Sequence, residues 1–172
     1  MKKITTLEIK WAVTFFLFSL VWMFFEKSMG WHDVQIERHA SMTGLFAIPA
    51  ISIYVFALLE KKKNHLNNFM TWKQGFTCGI MITFIYVLLS PIAQYITFTF
   101  ITPDFFSNMV NYSVNVLGES REKMEANFNM KSYMLQGITG ALIMGIITSA
   151  IVALFVKRSP VIKPEANGSI TR

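Results

Sequence analysis

The segment EKSMGWHDVQIERHA, residues 26–40, brings several side chains capable of chemistry close together in the sequence. Its two imidazoles and three carboxylates belong to Glu26, His32, Asp33, Glu37 and His39. Imidazole nitrogens and carboxylate oxygens bind zinc and related metal ions, and the same groups form ion pairs. The segment is therefore a candidate for a metal site, for an ion pair between two helices, or for a solvated loop.

The spacing of the histidines argues against a simple metal site. Zinc takes three or four ligands close to one point. His32 and His39 are seven residues apart, which on a helix means one face but about 10 Å along the axis. One ion would reach both only if the segment bends. The two histidines are therefore weak metal-ligand candidates, and no metal is predicted.

An ion pair is the interpretation that the position of the segment favours. Glu26 begins the segment and Arg38 and His39 end it, so a short connection between two helices would place them side by side. An ion pair of Glu26 with Arg38 or His39 would join the two helices and neutralise charge near an apolar boundary. In this interpretation His32 and Asp33 stay solvated.

The elements that must position this segment are long apolar runs on both sides of it. Hydrophobic residues make up 53% of the 172 residues, charged residues only 15%, and the mean hydropathy is +0.43. Soluble domains carry about a quarter charged residues, and long uncharged runs are typical of membrane spans. The sequence predicts an all-α polytopic membrane protein with four transmembrane helices, at approximately 7–26, 40–59, 75–101 and 133–156.

A helical hairpin is predicted between spans three and four, over residues 103–130. Apolar residues recur there at helical spacing, and Gly118 is a natural helix stop. Thr102 is expected to cap the first helix, with Pro103 in its first position. Ser120 is expected to cap the second helix. The hairpin is expected on the extracytoplasmic side.

The distribution of positive charge predicts the orientation in the membrane. The N-terminus, the 60–75 loop and the C-terminal tail hold eleven Lys and Arg residues, against five on the opposite side. Because short positively charged segments stay in the cytoplasm, both termini are predicted there, in a bacterial inner membrane. Residues 1–158 would form one transmembrane domain, followed by a flexible cytoplasmic tail at 159–172.

The same distribution predicts the kind of partner. The net charge is +6, but the basic residues cluster beside the ends of the apolar runs and form no stripe on a soluble domain. This pattern favours the lipid bilayer as partner and argues against nucleic acid.

Small residues recur along the third and fourth spans. They are Gly75 and Gly79 in span three, and Gly137, Ala141, Gly145 and Ser149 in span four. Small residues four apart let two membrane helices approach closely. The simplest prediction packs spans three and four together within one chain. A homodimer, or contact with another membrane protein, is the alternative use of the span-four stripe.

The polar residues inside the spans are hydroxyls and amides, which most simply form hydrogen bonds between helices. Ser90, Pro91 and Gln94 are nevertheless a candidate polar path, because a proline frees a backbone carbonyl near midspan. The sequence shows no nucleophile–base set, nucleotide-binding loop or cofactor motif. It favours a non-enzymatic accessory protein acting through its helix faces and outer hairpin, with no cofactor. The alternative is a small-solute transporter or channel-like protein.

Four stretches, taken in order, resemble a known family. They are WMFFEKSMGWHDVQIERHASMTGLFAIPAISIYVFALLEKKK, MTWKQGFTCGI, LSPIAQYI and MGIITSAIVALFVKR. The chain is similar to small four-span bacterial membrane proteins grouped as a domain of unknown function, DUF family 4199. The resemblance covers most of residues 7–158. It implies four helices in an inner membrane and implies no activity, cofactor or catalytic residue.

Overall fold

The computed structural model describes residues 5–158. Four helical stretches are long and apolar enough to cross a membrane, namely Thr6–Ser28, Ile36–His65, Trp72–Ile101 and Met130–Val156. We refer to them as spans one to four. They confirm the predicted all-α class with four spans. The predicted tail at 159–172 lies outside the described residues.

Spans one and four are single helices, whereas spans two and three contain irregular turns. Span one is α1, Thr6–Ser28, and span four is α7, Met130–Val156. Span two consists of a 3-10 turn (Ile36–Arg38), α2 (His39–Met42), a second 3-10 turn (Thr43–Phe46) and α3 (Ala47–His65). Span three consists of α4 (Trp72–Ile96) and a π-helical turn (Thr97–Ile101).

Two short helices lie between spans three and four, as expected for the predicted hairpin. They are α5, Phe105–Asn115, and α6, Arg121–Asn127, with Ser120 at the N-cap of α6. The prediction of Thr102 as the cap of α5 is wrong. The Thr102 N–H instead donates to the Thr97 carbonyl at 2.8 Å and closes the π-helical turn. We call the end of the bundle that carries α5 and α6 the hairpin end.

Side-chain caps explain where spans three and four begin. The Thr71 hydroxyl accepts a hydrogen bond from the Gln74 N–H at 3.2 Å, and the Gln74 side chain accepts from the Thr71 N–H at 2.8 Å. The Asn129 side chain likewise accepts from the Ser132 N–H at 3.0 Å. These bonds satisfy N–H groups that have no partner within the helix.

Spans three and four pack at close range through glycines. A Cβ atom at Gly79 would lie 2.7 Å from Ser149 Cβ and 3.2 Å from Ser149 Cα. A Cβ atom at Gly145 would lie 3.0 Å from Thr83 Cβ. The two hydroxyls are satisfied in their own helices, since Ser149 donates to the Gly145 carbonyl at 2.6 Å and Thr83 to the Gly79 carbonyl at 2.9 Å. The helix backbones can therefore approach closely without leaving a polar group unpaired.

Other members of the small-residue pattern lie towards the ends of this interface or beside it. A Cβ atom at Gly75 would lie 3.1 Å from Ala153 Cβ, and one at Gly137 would collide with the Gln94 amide. Ala141 lines a groove between α3 and α7. The intrachain contact between spans three and four thus uses most of the pattern.

The middle of the bundle is closed by apolar and aromatic side chains. Phe15, Tyr54, Ile82 and Leu58 are buried there. The Phe15 ring lies 6.0 Å from the Tyr54 ring, and the Tyr54 hydroxyl forms a 2.7 Å hydrogen bond with the Thr83 hydroxyl. Because three spans contribute to this layer, it joins spans one, two and three at the same depth.

Charged pairs join spans one and two at the end opposite the hairpin. Lys61 Nζ lies 2.8 Å from Glu8 Oε1, and Glu8 is almost fully buried. Lys10 Nζ lies 2.6 Å from Glu60 Oε2 in a more exposed position. Of the two pairs, the buried one is the stronger constraint on the helices, because an exposed pair contributes little.

The glycine interface predicts a contrast between two alanine substitutions. Gly79→Ala should lower the stability of the protein by about 1–3 kcal/mol, because the new methyl group overlaps Ser149 and pushes the helices apart. Gly140→Ala, on span four, is the matched control. No described atom lies within 4 Å of the position that its Cβ atom would take. Thermal unfolding in mild detergent measures both variants. Equal melting temperatures for the two would contradict this account of the interface.

Candidate functional site

A series of turns connects span one to span two and returns the chain to the bundle. Gly30 has a φ of +75°, a left-handed conformation that favours glycine. The Gly30 carbonyl accepts from the Gln35 N–H at 2.7 Å, and the Trp31 N–H donates to the Glu26 carbonyl at 3.1 Å. Trp31 and His32 are consequently buried, with 7% and 1% of their surface exposed.

The Glu26 carboxylate is the centre of a buried polar cluster. Glu26 lies in the last turns of α1 and has no exposed surface. The Trp22 indole N–H donates to its Oε1 at 2.6 Å. Its Oε2 lies 3.0 Å from His32 Nε2 and 3.7 Å from His39 Nδ1. We call Glu26, His32 and His39 the Glu26 cluster; one ligand atom from each of the three lies within 4.8 Å of the others.

The aromatic ring of Phe105 covers the Glu26 cluster on the side of the hairpin. Phe105, at the start of α5, is fully buried, with its ring centre 5.1 Å from His32 and 4.9 Å from His39. Phe105 packs in turn on Phe98 of span three and Tyr133 of span four. The hairpin and the ends of spans three and four thus form a lid over the imidazoles.

Two imidazole nitrogens in the cluster have unused hydrogen-bonding capacity. Within residues 5–158, neither His32 Nδ1 nor His39 Nδ1 has a hydrogen-bond partner, and both atoms are buried. His39 Nδ1 is the atom that lies 3.7 Å from the Glu26 carboxylate, beyond hydrogen-bonding distance. The backbone of His32 is held separately, because the Asn108 side chain donates to its carbonyl at 3.0 Å.

The structure differs from the sequence-based expectations for this segment in three ways. His32 is buried and not solvated, because the turns after Gly30 fold the chain inwards. The two imidazole centres are 5.2 Å apart, so the 10 Å spacing expected for a helix does not apply. Arg38 is exposed and forms no ion pair in the part of the chain described, whereas Glu26 and His39 lie side by side. Asp33 is exposed, as expected.

A chamber of about 340 Å³ opens beside the cluster in the hairpin-end half of the bundle. All four spans contribute to its wall, and His39 connects it to the Glu26 cluster. Its polar lining comes from Ser19, His39, Thr43, Ser90, Gln94, Thr97 and Tyr133. The remaining lining is largely aromatic and apolar. Such a mixture of size and lining is typical of small-molecule sites.

Ser90 and Pro91 have a local structural role beside the chamber. Pro91 has no N–H, so the carbonyl of Val87 loses its usual helical donor. The Ser90 hydroxyl donates to that carbonyl at 3.0 Å and replaces the missing bond. Gln94 is different, because its side chain forms no hydrogen bond among the described residues and faces both the chamber and Gly137. Among the three residues predicted as a polar path, Gln94 is therefore the one that offers free polar atoms.

A second chamber lies at the opposite end of the bundle. It has a volume of about 290 Å³, and its polar lining includes Glu8, Lys61, His65 and Gln74. The Glu8–Lys61 pair occupies one wall. The apolar layer around Tyr54 lies between the two chambers. Neither chamber was visible from the order of residues, because each wall combines residues from distant parts of the sequence.

These features define a polytopic α-helical membrane protein with a buried carboxylate–imidazole cluster beside a mainly apolar chamber that contains several polar groups. A family model described as "Protein of unknown function (DUF4199)" matches residues 10–158. The chain belongs to that family, in agreement with the resemblance seen in its sequence. No curated protein and no solved structure matches the chain.

Because Glu26 is buried, we expect the hydrogen bonds of its carboxylate to contribute to the stability of the protein. Glu26→Gln should lower stability by about 1–3 kcal/mol, because an amide accepts at only one atom where the carboxylate accepts from both Trp22 and His32. Glu37→Gln is the control, since Glu37 is exposed in the same connecting segment. Melting temperatures in detergent compare the two. A Glu26→Gln protein that melts with the wild type would leave Glu26 without a structural role.

Proposed function

We propose that the protein is a non-enzymatic membrane protein that binds a small neutral polar solute in the hairpin-end chamber and mediates its passage across the membrane. The observation that carries the proposal is the chamber itself, whose wall comes from all four spans. The sequence favours an accessory role and offers a small-solute protein as the alternative; because of the chamber, we put the alternative first.

The lining of the chamber supports a neutral solute. Gln94 provides an amide with both donor and acceptor atoms, and Thr43, Thr97 and Tyr133 provide hydroxyl groups. Among the described residues that line the chamber, His39 is the one with an imidazole, and none has a carboxylate, ammonium or guanidinium group. Neutral donors and acceptors between aromatic rings suit a molecule with hydroxyl or amide groups, since they replace its bonds to water at little electrostatic cost.

The arrangement along the bundle supports passage in addition to binding. Chambers with polar groups in their walls lie near both ends, and the buried apolar layer that includes Phe15 and Tyr54 lies between them. Alternating exposure needs a solute site that is closed off from one side of the membrane at a time, and this layer would close the hairpin-end chamber from the opposite side. On this proposal the hairpin end faces outward from a bacterial inner membrane, as the excess of Lys and Arg at the opposite end favours.

A change in the exposure of the chamber would require spans three and four to shift, and the glycine interface between them is the place where that shift would occur. Spans three and four pack closely at Gly79 and Gly145, whereas at Gly137 the Gln94 amide lies between them. Packed helices change between discrete arrangements by small shifts, and side chains at the edge of a close contact are the first to repack. Gln94 is therefore both a solute-binding group and part of the contact that would move.

The proposal predicts that Gln94→Leu slows solute entry into liposomes. Urea and glycerol are the probes, and stopped-flow light scattering measures the swelling rate after mixing. Loss of one hydrogen bond to the solute corresponds to about a 2–10-fold decrease in the protein-dependent rate. Leucine keeps a comparable side-chain volume, so a change in rate reports the amide.

Gln136→Leu is the matched control for this experiment, because Gln136 is exposed on span four and does not line the chamber. Liposomes that contain the Gln136→Leu protein should swell in both probes at the wild-type rate. Wild-type liposomes that swell no faster than protein-free ones would count against passage. Equal decreases in the two leucine variants would show that the chamber is not the route.

An accessory role is the second candidate, and one observation favours it. Val116 and Leu117, between α5 and α6, are 66% and 60% exposed. The four charges of α6 balance, so this region has no net attraction for anionic headgroups. We therefore propose an extramembrane segment of another membrane protein as the partner, and not the lipid surface.

The accessory role predicts a complex that depends on these two side chains. Val116→Asn combined with Leu117→Asn should convert a larger native complex, extracted in mild detergent, to the size of the chain alone. Native gel mobility is the measurement. Leu135→Asn is the control, because Leu135 is similarly exposed but lies on span four. Wild-type chain that already migrates alone, or a double variant with unchanged mobility, would exclude this role for the hairpin.

A further inference from the structure

We propose that Glu26, His32 and His39 bind one divalent transition-metal ion, with zinc as the best match. This site goes beyond the solute-binding role, because it uses different atoms from Gln94 and the hydroxyls of the chamber. Three features point to this site: the geometry of the donor atoms, the environment of the carboxylate, and the His39 Nδ1 atom, which has no partner among the described residues.

The donor atoms lie at nearly the separations that a zinc site requires. In a tetrahedral site with metal–ligand distances of about 2.0–2.1 Å, neighbouring ligand atoms are about 3.3 Å apart. Glu26 Oε2 is 3.0 Å from His32 Nε2 and 3.7 Å from His39 Nδ1. The atoms of all three residues lie within 4.8 Å of one another. Small side-chain rotations would therefore place all three around one ion.

The environment of Glu26 favours a cation at this position. A fully buried carboxylate needs a compensating positive charge, and a metal ion is one way to supply it. Among residues 5–158, no lysine or arginine is paired with Glu26: Arg38 is exposed, and Lys27 donates to the Ile101 carbonyl. At the opposite end of the bundle, by contrast, buried Glu8 has Lys61 as its partner.

The atoms around the cluster are arranged as they are around known metal ligands. The Trp22 N–H occupies Oε1 of Glu26 and so fixes the orientation of the carboxylate with Oε2 towards the imidazoles. Asn108 fixes the backbone of His32. Groups outside the ligand set that orient the ligands are a regular feature of metal sites. The unpartnered Nδ1 atom of His39 then has a metal ion as its partner.

The ligand set and its surroundings specify the class of ion. Two imidazole nitrogens and one carboxylate oxygen suit zinc and its first-row neighbours, whereas calcium and magnesium prefer oxygen ligands. Three protein ligands leave one position of a tetrahedral site. His39 lines the chamber, so that position lies near a space that holds water or a solute. The proposed site is thus of the open kind.

The test measures metal binding by the full chain purified without a histidine tag and treated with a chelator. Zn²⁺ is titrated by calorimetry, and bound metal per chain is counted by elemental analysis. Co²⁺ then replaces Zn²⁺, because its visible absorption distinguishes a tetrahedral site with nitrogen ligands from loosely bound ion. The expected result is one Zn²⁺ per chain and a tetrahedral Co²⁺ spectrum.

Single substitutions assign the ligands. Glu26→Gln, His32→Gln and His39→Gln should each weaken Zn²⁺ binding by at least about 10–100-fold, the scale seen when even orienting groups are removed. His65→Gln is the matched control, because His65 is the third histidine of the chain and lies at the opposite end of the bundle. It should bind Zn²⁺ with the wild-type affinity and stoichiometry.

Several results would overturn the proposal. Wild-type protein that binds less than one Zn²⁺ per chain and gives no tetrahedral Co²⁺ spectrum would show that the Glu26 cluster is a carboxylate–imidazole pair only. That measurement decides the question even if the three ligand variants fail to fold. Equal Zn²⁺ binding by well-folded ligand variants would place the metal elsewhere. Gln94→Leu should retain Zn²⁺, so failure of solute passage and failure of metal binding are separate outcomes.

Discussion

The close contact between spans three and four determines where the other parts of the protein can lie. Lipid is as apolar as a leucine side chain, so helices in a bilayer gain little from burying apolar surface against each other. They depend instead on close packing, and at Gly79 and Gly145 the backbones approach because neither residue has a Cβ atom. The hydroxyls of Thr83 and Ser149 fill this contact and are satisfied by carbonyls of their own helices. Spans one and two then pack against this pair.

The same contact explains why polar space occurs at the hairpin end. The small residues of span four continue to Gly137, but there the facing residue is Gln94, whose amide occupies the position a methyl group would take. Pro91 removes one helical hydrogen bond just before it, and Ser90 restores a donor to the freed carbonyl. The carbonyl freed by Pro91 thus keeps a hydrogen-bond donor, while the packing between spans three and four becomes less close. A chamber forms at this depth because a large polar side chain follows a run of small ones.

The two buried carboxylates within residues 5–158 are stabilised in different ways. Glu8 has a lysine partner from span two, a solution that needs only two residues on adjacent helices. Glu26 has an indole, two imidazoles and an aromatic lid, contributed by span one, the connecting turns, span two and α5. Such an arrangement fixes more groups than a simple pair, and two of its imidazole nitrogens have no partner in the described part of the chain.

The sequence by itself determined the four spans, the all-α class, the presence of a hairpin and the family. These properties depend on composition and local periodicity, and the apolar runs are so long that no other element could contain them. The small residues also indicated the pairing of spans three and four before any contact was known. The relation of His32 to Glu26 was decided only by the tertiary structure. A helical spacing puts the two histidines far apart, but Gly30 turns the chain back, and Phe105 from a distant helix closes over them. The chambers, likewise, are spaces between helices, and the sequence describes helices one at a time.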